Sequence, residues 1–596
     1  MASVTRIIFL LMAATLLATL PPADGWDDPD CVDPEIPDRQ YLLGADSDDE
    51  SESTSGWDTN DFMDSDSEYA SDYASDFEDS GQFFDDNGRG LNLEEFDEND
   101  QGHRLVEFND EQNNKSVVKI GEKNKVKCDD PLCANDDQEK STKDYCLSEA
   151  ENPYPGHATM TAYNMARTNN LTADKLAPEG CKPVQLWHLI RHGSRSMHRM
   201  DFMKMETQLP ILKRKILAAH SLGSGSLCTE DLELIRAWKL EDMDLGRSGT
   251  LSDEGKAEIE GIATRYKAAL PNLVYKWYSI SKPSSENIRQ QPGEGAKVAF
   301  APSRQTYESA VTFLEALYGR RWGHVGLPVK GSQTLQYYDY CKNYINKVVA
   351  LNKNRKPFHI FTQGKYLEAV MDRVSKRSGI QITLTKLRSM YNACRYQKAW
   401  HPQKTPPWCV VFTPNDLRVL EYWEDLRVYH DQGYAHPINY KQACILGQDV
   451  FLHFRNRIEK DITDTDSTTY FVNLEAFVPF LALLGLFKDA EPLTSDEVNM
   501  GREWKTSKFA GYGSNLGFLL SSCGNDSSSW WVTALLNEEK YHLPGCETSM
   551  GCPWDKFVSS FAFVEDCNFT HLCGRYSDKL WRSQHWRLSY VMHNWM

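Results

Sequence analysis

Residues 184–195, with the sequence VQLWHLIRHGSR, decide the fold that the chain predicts. The first seven of them form an almost uninterrupted apolar run, which is typical of a strand buried on both faces of a sheet. The run ends in the polar turn Arg-His-Gly-Ser-Arg at 191–195. Because open α/β sheets bind ligands beyond the carboxyl ends of their strands, we expect this pentapeptide to lie in a binding site.

The residue types of the pentapeptide suit a phosphoryl group. Arg191 and Arg195 can each present forked donors to phosphate oxygens, and Gly193 lets the backbone approach closely. A neutral His192 between the two arginines can attack phosphorus and form a phosphohistidine, which divides one hydrolysis into two easier transfers. A lone histidine is usually structural, but this pattern after an apolar strand is rare. We therefore interpret His192 as a catalytic nucleophile.

A metal site is the main alternative for the histidines of this strand. His188 and His192 have the His-x₃-His spacing of zinc proteases, but no glutamate lies between them and they belong to a predicted strand. Cys128 and Cys133 are the only near match to a paired zinc motif before the C-terminal cysteine cluster. We therefore expect neither a metal ion nor an organic cofactor.

Further apolar runs alternate with charged stretches of helical period. We predict strands at 298–301, 358–361, 470–472 and 516–521, and an apolar helix over 476–485. Charged helical stretches lie at 305–320, 365–398 and 415–460. This alternation predicts an α/β layer fold with a helical insertion.

The start of the chain and its cysteines indicate export. Residues 1–25 are typical of a secretory signal, because Arg6 precedes an uncharged apolar run over 7–20 that is too short to span a bilayer. The fifteen cysteines then predict disulfides that join the two ends of the folded body, with Cys31 as the odd one. We expect a secreted protein without a membrane anchor. Four sequons predict glycosylation, at Asn114, Asn170, Asn525 and Asn568.

Charge is divided unevenly along the chain. Residues 27–100 carry a balance of −25 and residues 101–596 a balance of +5, within a net charge of −20. We expect residues 26–110 to form an acidic, disordered tail, since they are rich in charge and poor in β-branched side chains. The net charge argues against a nucleic-acid partner, whereas the mildly basic body permits a small polyanionic ligand.

One stretch of the tail is similar to a calcium-binding loop. In residues 84–96, Asp85, Asn87, Gly90 and Glu95 would take the first, third, sixth and last positions of an EF-hand loop. The match is incomplete, because one residue is missing after Gly90 and Arg89 places a cation where an oxygen ligand is usual. We expect at most weak calcium binding by the tail, or association with a cationic partner.

Taken together, the motifs of the chain resemble the histidine phosphatase superfamily, in its acid phosphatase and phytase branch. Within that branch the sequence is most similar to multiple inositol polyphosphate phosphatases. The likeness covers roughly residues 155–575 and excludes the acidic tail. It rests on the pentapeptide at 191–195, on Phe-Ala-Pro-Ser-Arg ending at Arg304, on Val-Asn-Leu-Glu ending at Glu475, on Phe-Lys-Asp-Ala-Glu-Pro-Leu-Thr ending at Thr494, and on two shorter stretches at 513–516 and 535–539.

The resemblance implies a fold, a substrate class and a set of roles. The fold would be a Rossmann-like core in two parts, 155–304 and 466–596, with a mainly helical insertion over 305–465 and a disulfide-rich C-terminus. Arg191, Arg195 and Arg304 would bind the phosphoryl group, with Asn473 assisting, and Glu475 would protonate the leaving group. The substrate would be a small phosphate ester such as an inositol polyphosphate, hydrolysed without a metal.

Two positions depart from the family pattern. Asn473 stands where the family has a histidine that binds and charge-stabilises the phosphoryl oxygens, and Met197 replaces a proline. Asparagine donates a hydrogen bond but carries no positive charge, and removing a preorganised donor costs on the order of 10²–10³ in rate. We therefore expect a weakened phosphatase. The alternatives are a protein that binds phosphorylated ligands without turnover, and an interaction protein that acts through its acidic tail.

Overall fold

The fold is taken from a computed structural model that describes two separate units, one within Met1–Lys123 and one within Asn124–Met596. The described residues are 82–84, 90–92, 132, 146–150, 153–167, 171, 176–243, 248–275, 296–319, 329–330, 333–350, 355–459, 465–524, 529–546 and 551–574.

In the first unit, the described residues form two antiparallel strands, β1 (Gln82–Phe84) and β2 (Gly90–Asn92). Phe84 pairs with Gly90, which we predicted to be the sixth position of a calcium loop. An EF-hand loop follows a helix, so a strand at 82–84 does not fit that prediction. Asp85, Asn87 and Glu95 lie outside the described residues.

The second unit is built around one mixed sheet. Its strands are β3 (Cys181–Arg191), β4 (Ala296–Phe300), β5 (Val329–Lys330), β6 (Ser467–Val472), β7 (Asn515–Cys523), β8 (Ser529–Leu536), β9 (Glu539–Tyr541) and β10 (Cys552–Pro553). They are ordered β10-β8-β7-β3-β6-β4-β5, and β9 pairs with β8. The half from β3 to β5 is parallel, whereas β7, β8, β9 and β10 join by antiparallel pairing.

The register brings the carboxyl ends of three parallel strands to one edge of the sheet. Arg191, the last residue of β3, pairs with Val472, the last residue of β6. Phe300, the last residue of β4, pairs with Phe471. The three segments that carry the predicted site residues therefore leave the sheet side by side.

Helices account for most of the remaining described residues. They are α1 (Tyr163–Ala166), α2 (Arg199–Ser221), α3 (Thr229–Ala237), α4 (Asp253–Ala269), α5 (Pro271–Val274), α6 (Arg304–Tyr318), α7 (Tyr337–Tyr340), α8 (Lys342–Tyr344), α9 (Lys356–Thr362), α10 (Lys365–Ser378), α11 (Leu384–Trp400), α12 (Pro414–Gln432), α13 (Pro437–Lys441), α14 (Cys444–Glu459), α15 (Leu474–Leu483), α16 (Thr506–Phe509), α17 (Trp554–Ser560) and α18 (Phe569–Cys573). A π-helical turn, Ile345–Val349, follows α8.

Strand β3 sends alternate side chains into two hydrophobic cores. Leu186 and Ile190 belong to the core that includes α4 and α6, and Trp187 and Leu189 belong to the larger core that includes α15 and the helices from α9 to α14. Burial on both faces explains why this strand is a continuous apolar run in the sequence. The predicted α/β fold is confirmed, while the predicted domain boundaries stay predictions.

One of the predicted strands is wrong. Residues 358–361 lie in α9, whereas the other predicted runs fall on β3, β4, β6 and β7. A four-residue apolar run does not distinguish a strand from a buried helix. Pro357 lies in the first turn of α9, where its fixed φ favours the start of a helix.

Disulfides join distant parts of the second unit. Cys181–Cys523 joins the two ends of the folded body, as predicted, whereas Cys341–Cys573 and Cys444–Cys567 join the middle of the chain to its C-terminal part. The other disulfides of the described residues are Cys146–Cys228, Cys394–Cys409 and Cys546–Cys552. Cys31, Cys128 and Cys133 lie outside the described residues.

Of the residues on which the predicted secretory signal and glycosylation sites depend, the structure describes only Asn568. Asn568 is exposed at the start of α18, where its Oδ1 accepts a hydrogen bond from the backbone N–H of His571 at 3.0 Å. Residues 1–25 and the sequons at Asn114, Asn170 and Asn525 lie outside the described residues. Among the described helices, none combines the length and the apolar character that a bilayer span requires.

Candidate active site

The loop at 191–195 is held by backbone hydrogen bonds on both sides of β3. The N–H of His192 donates to the carbonyl of Val472 at 3.2 Å, and the N–H of Gly513 donates to the carbonyl of His192 at 3.0 Å. The loop is thereby fixed between the end of β6 and the segment that leads into β7.

Two glycines let the first turn of α4 lie directly against this loop. A Cβ on Gly193 would lie 2.4 Å from the carbonyl oxygen of Gly255, and a Cβ on Gly255 would lie 1.9 Å from the carbonyl oxygen of Ser194. Both contacts would be with backbone, which cannot swing away. The glycine of the pentapeptide is therefore required for close packing against α4.

Glu258 of α4 holds the loop at 191–195 through hydrogen bonds with Ser194. Its Oε2 accepts a hydrogen bond from the N–H of Ser194 at 2.7 Å, and its Oε1 accepts one from Ser194 Oγ at 3.0 Å and one from the N–H of Tyr163 at 2.7 Å. Burial raises the pKa of Glu258 to about 7. Glu258 thus acts as a positioning residue for the loop that carries His192.

We expect Glu258→Gln to lower kcat and to reduce the free energy of unfolding by about 1–3 kcal/mol. The carboxylate accepts hydrogen bonds from three donors, the N–H groups of Tyr163 and Ser194 and the hydroxyl of Ser194. In glutamine, an NH₂ group replaces one of the two oxygens, so at least one of these buried donors loses its acceptor. Thermal denaturation and steady-state kinetics measure the two effects. The control is Glu260→Gln, an exposed residue of the same helix. Equal behaviour of the two variants would contradict the positioning role.

His192 is held in the protonation state that a nucleophile needs. Its side chain is buried (3% exposed), and Nδ1 lies 2.9 Å from the carbonyl oxygen of Gly193. Because a carbonyl only accepts, Nδ1 carries the proton and Nε2 keeps its lone pair. Burial, followed by the charges of Arg191 and Arg195, lowers the pKa of His192 well below its usual value of 6.5. The imidazole is therefore neutral at neutral pH.

Arg191 is a buried cation with an unused donor. Its Nη1 donates to the carbonyl oxygens of Thr159 and Ala510, and its guanidinium packs over the ring of Tyr512 at 4.6 Å. Burial lowers the pKa of Arg191 to about 10, so it stays charged at neutral pH. Its Nε is buried and has no hydrogen-bond partner among the described residues. A buried donor without a partner suits an anionic ligand.

Arg195 lies at the other end of the loop, where α2 and α11 approach. The indole N–H of Trp400 donates to the carbonyl of Arg195 at 2.9 Å, and Nη1 of Arg195 donates to the carbonyl of Ser196 at 3.0 Å. Burial opposes its charge, but Tyr396, Tyr512 and Asp201 outweigh that effect and raise the pKa of Arg195. Arg191 and Arg195 therefore both place positive charge beside His192.

Arg304 begins α6, directly after β4. Its guanidinium is exposed, and Nε pairs with Glu308 Oε1 at 3.2 Å. Its two neighbours in sequence, Ser303 and Gln305, both contact Asn473. The structure thus brings the start of α6 to the end of β6, while the Arg304 side chain itself is paired with Glu308.

Asn473 and Glu475 lie at the start of α15. Oδ1 of Asn473 accepts hydrogen bonds from Ser303 Oγ at 3.1 Å and Gln305 Nε2 at 3.2 Å, and its Nδ2 donates to the hydroxyl of Tyr338 at 3.3 Å. Glu475 is partly buried in the first turn, and its negative charge stabilises the cation of Arg191. A neutral histidine, two arginines and a carboxylate therefore lie at one edge of the sheet.

Part of the chain matches a known protein family. Residues 298–537, which include Arg304, Asn473 and Glu475, match the model of the histidine phosphatase superfamily (branch 2). This segment belongs to the histidine phosphatase superfamily. The predicted resemblance is thereby confirmed, although the pentapeptide at 191–195 precedes the matched segment.

Similar proteins extend the likeness beyond that segment. The chain is 25% identical over 448 residues to multiple inositol polyphosphate phosphatase 1 of Drosophila melanogaster, which covers 73% of this chain and 90% of the relative. It is 27% identical over 394 residues to the human protein of the same name, covering 60% and 75%. Among solved structures, the phytase from D. castellii superimposes with a TM-score of 0.52 at 13% identity, covering 69% of this chain and 85% of the phytase, which supports the fold.

Several residues of the site are not predicted by the sequence motifs. Glu258 had a detectable signal, since it is a carboxylate on the buried face of α4, next to Ile259 and near Ile262. Tyr338 had none, because its segment has no recognisable pattern, and Tyr512 lies just before the stretch 513–516, which gave no role for it. Their roles depend on contacts with residues far away in the sequence.

Proposed function

We propose that this protein is a secreted phosphomonoesterase that hydrolyses inositol polyphosphates through a phosphohistidine on His192. The observation that carries the proposal is the neutral imidazole of His192, whose Nε2 keeps its lone pair between two arginines. Such a group is a nucleophile for phosphorus, and the surrounding cations stabilise the charge on the transferring group.

In the first step, Nε2 of His192 attacks phosphorus and the bond from phosphorus to the ester oxygen breaks. Glu475 gives its proton to the departing oxygen, so that an alcohol leaves rather than an alkoxide. General acid catalysis of this kind contributes on the order of 10²–10⁴ in rate. The products are the alcohol and an N–P bond on His192.

In the second step, water attacks the phosphohistidine. The carboxylate of Glu475 takes a proton from the water, the N–P bond breaks, and its electron pair returns to Nε2. Inorganic phosphate leaves and His192 is neutral again. Arg191, Arg195 and Arg304 bind the phosphoryl oxygens in both steps, and Asn473 assists them.

The proposed substrate class rests on charge and on relatives. Relatives in two animals are named multiple inositol polyphosphate phosphatase 1. Residues 101–596 carry a net charge of +5, which attracts a polyanion. The acidic tail remains a proposed binding segment for a cationic partner or, weakly, for calcium.

Export and glycosylation are part of the same proposal. The disulfides of the second unit fit an oxidising compartment. At the exposed Asn568, the helix cap uses Oδ1, whereas an N-linked glycan is attached to Nδ2, so the cap and a glycan are compatible.

The proposal is tested by phosphate release from inositol hexakisphosphate by the full secreted chain, with a metal chelator present. We expect steady release of inorganic phosphate between acid and neutral pH. If calorimetry shows that inositol hexakisphosphate binds but no phosphate is released, the proposed phosphatase activity is contradicted. The chain would then be a protein that binds phosphorylated ligands without turnover, the alternative that Asn473 also suggests.

Activity is expected to fall as the pH rises through about 7. Burial, followed by the charge of Glu475, raises the pKa of Asp339 from 3.8 to about 7. Above that pH Asp339 becomes negatively charged and repels an anionic substrate, so KM should rise. Kinetics as a function of pH measure this rise, and Asp339→Asn should remove most of it. An unchanged pH profile in the variant would contradict the assignment.

Stability should depend on the same proton. Because the folded state keeps the Asp339 proton up to about pH 7 and the unfolded chain loses it near 3.8, this residue's contribution makes the free energy of unfolding fall as the pH rises between those values. Comparing denaturation of wild type and Asp339→Asn at several pH values isolates that contribution.

A further inference from the structure

The amide of Asn473 is largely occupied by the protein itself. Its oxygen accepts two hydrogen bonds, from Ser303 and Gln305, and its nitrogen donates one, to the hydroxyl of Tyr338. Asparagine also lacks the positive charge of the histidine in the family pattern. The site therefore needs another donor near the end of β6 if the phosphoryl oxygens are to be bound there.

Tyr338 contacts Asn473 directly. It is buried in α7 (6% exposed), and its hydroxyl accepts the hydrogen bond from Asn473 Nδ2 at 3.3 Å. Among the hydrogen bonds of the described residues, the Tyr338 hydroxyl donates none. Its own proton is therefore available to a ligand in the site.

The neighbouring Tyr337 differs in this respect. Its hydroxyl donates to the carbonyl oxygen of Ala476 at 2.9 Å and so fastens α7 to α15. The two adjacent tyrosines thus differ, because the Tyr337 hydroxyl donates its proton to the backbone, whereas the Tyr338 hydroxyl, among the described residues, only accepts, from Asn473.

The hydroxyl of Tyr338 stays protonated under all relevant conditions. Burial, followed by the charges of Asp339 and Glu475, raises the pKa of Tyr338 well above its usual value of 10. The helix that carries Tyr338 contacts the helix that carries Glu475, since the hydroxyl of the adjacent Tyr337 bonds the carbonyl of Ala476. A neutral phenol that already accepts one hydrogen bond is a stronger donor for a second.

We propose that the hydroxyl of Tyr338 donates a hydrogen bond to a phosphoryl oxygen, in the place that the family pattern gives to a histidine at 473. Asn473 is then a positioning residue, because its amide orients the Tyr338 hydroxyl. This inference rests on the proposed function and adds to it a phosphoryl-binding residue outside the motifs of the sequence.

The test compares Tyr338→Phe with Tyr337→Phe in the full chain. Removing one preorganised donor should lower kcat by about 10²-fold in Tyr338→Phe. Tyr337→Phe should lower the melting temperature while kcat stays near that of wild type, since its hydroxyl bonds only Ala476 in the described structure. Equal kcat values in the two variants would overturn the proposal.

A second comparison uses the residue at 473. In an Asn473→His background, the imidazole supplies a donor of its own, so adding Tyr338→Phe should cost far less than it does in wild type. Equal costs in the two backgrounds would overturn the shared role of the two positions.

Binding of inorganic phosphate, measured by calorimetry, separates this inference from the proposed function. Weaker binding by Tyr338→Phe than by Tyr337→Phe supports the donor, even if wild type shows no turnover and the enzyme proposal fails. Unchanged phosphate affinity in Tyr338→Phe overturns the donor, even if wild type hydrolyses inositol hexakisphosphate.

Discussion

Replacing His192 by alanine is expected to reduce phosphate release from inositol hexakisphosphate by about 10⁴-fold or more. The variant loses the only group that we propose as nucleophile, and water would have to attack the ester directly. Arg191 and Arg195 would still bind the phosphoryl group, so substrate affinity should change much less than kcat. Steady-state kinetics on the full chain measure both quantities.

The matched control is His542→Ala, which removes an exposed histidine from the segment after β9. It should behave as wild type in kinetics and in thermal denaturation. His192→Ala should also keep its fold, because the hydrogen bonds that hold the loop at 191–195 come from backbone groups and Glu258. Turnover by His192→Ala at the wild-type rate would show that the site works without this histidine.

The second large effect is expected from Glu475→Gln, and it should depend on the substrate. An inositol alkoxide is a poor leaving group and needs the proton of Glu475, so kcat/KM, which reports the steps up to the phosphoenzyme, should fall by about 10²–10⁴-fold. For p-nitrophenyl phosphate, whose phenolate leaves without protonation, the loss in the first step should be much smaller. The ratio of the two losses measures the acid role separately from any disturbance of α15.

Glu497→Gln, an exposed carboxylate outside the site, serves as the control for this series. It should leave both substrates unaffected. Equal losses of kcat/KM on both substrates in Glu475→Gln would point to a disturbed site rather than to a missing proton donor, and would contradict the acid role that we give to Glu475.

The strands at the centre of the sheet were predictable from the sequence for a physical reason. β3 is covered on both faces, so its residues are apolar without alternation, and the polar pentapeptide marks its end. The same argument failed at 358–361, where a short apolar run belongs to α9. Periodicity needs more than four residues to separate a helix from a strand.

Only the site residues that come directly after a strand were predictable from the sequence. Arg191, His192 and Asn473 meet because β3 and β6 end in register. Tyr338 contacts Asn473 across 135 positions of sequence, and no local pattern reports such a contact. The pairing of Arg304 with Glu308 likewise depends on rotamers rather than on the motif.

The most direct test of the central claim is to trap the phosphoenzyme. Wild type is mixed with inositol hexakisphosphate, quenched in alkali, where phosphohistidine survives, and digested for mass spectrometry. We predict a phosphoryl group on Nε2 of His192 and on no other residue. A wild-type enzyme that turns over while His192 stays unmodified, or that carries the phosphoryl group on another side chain, would contradict it.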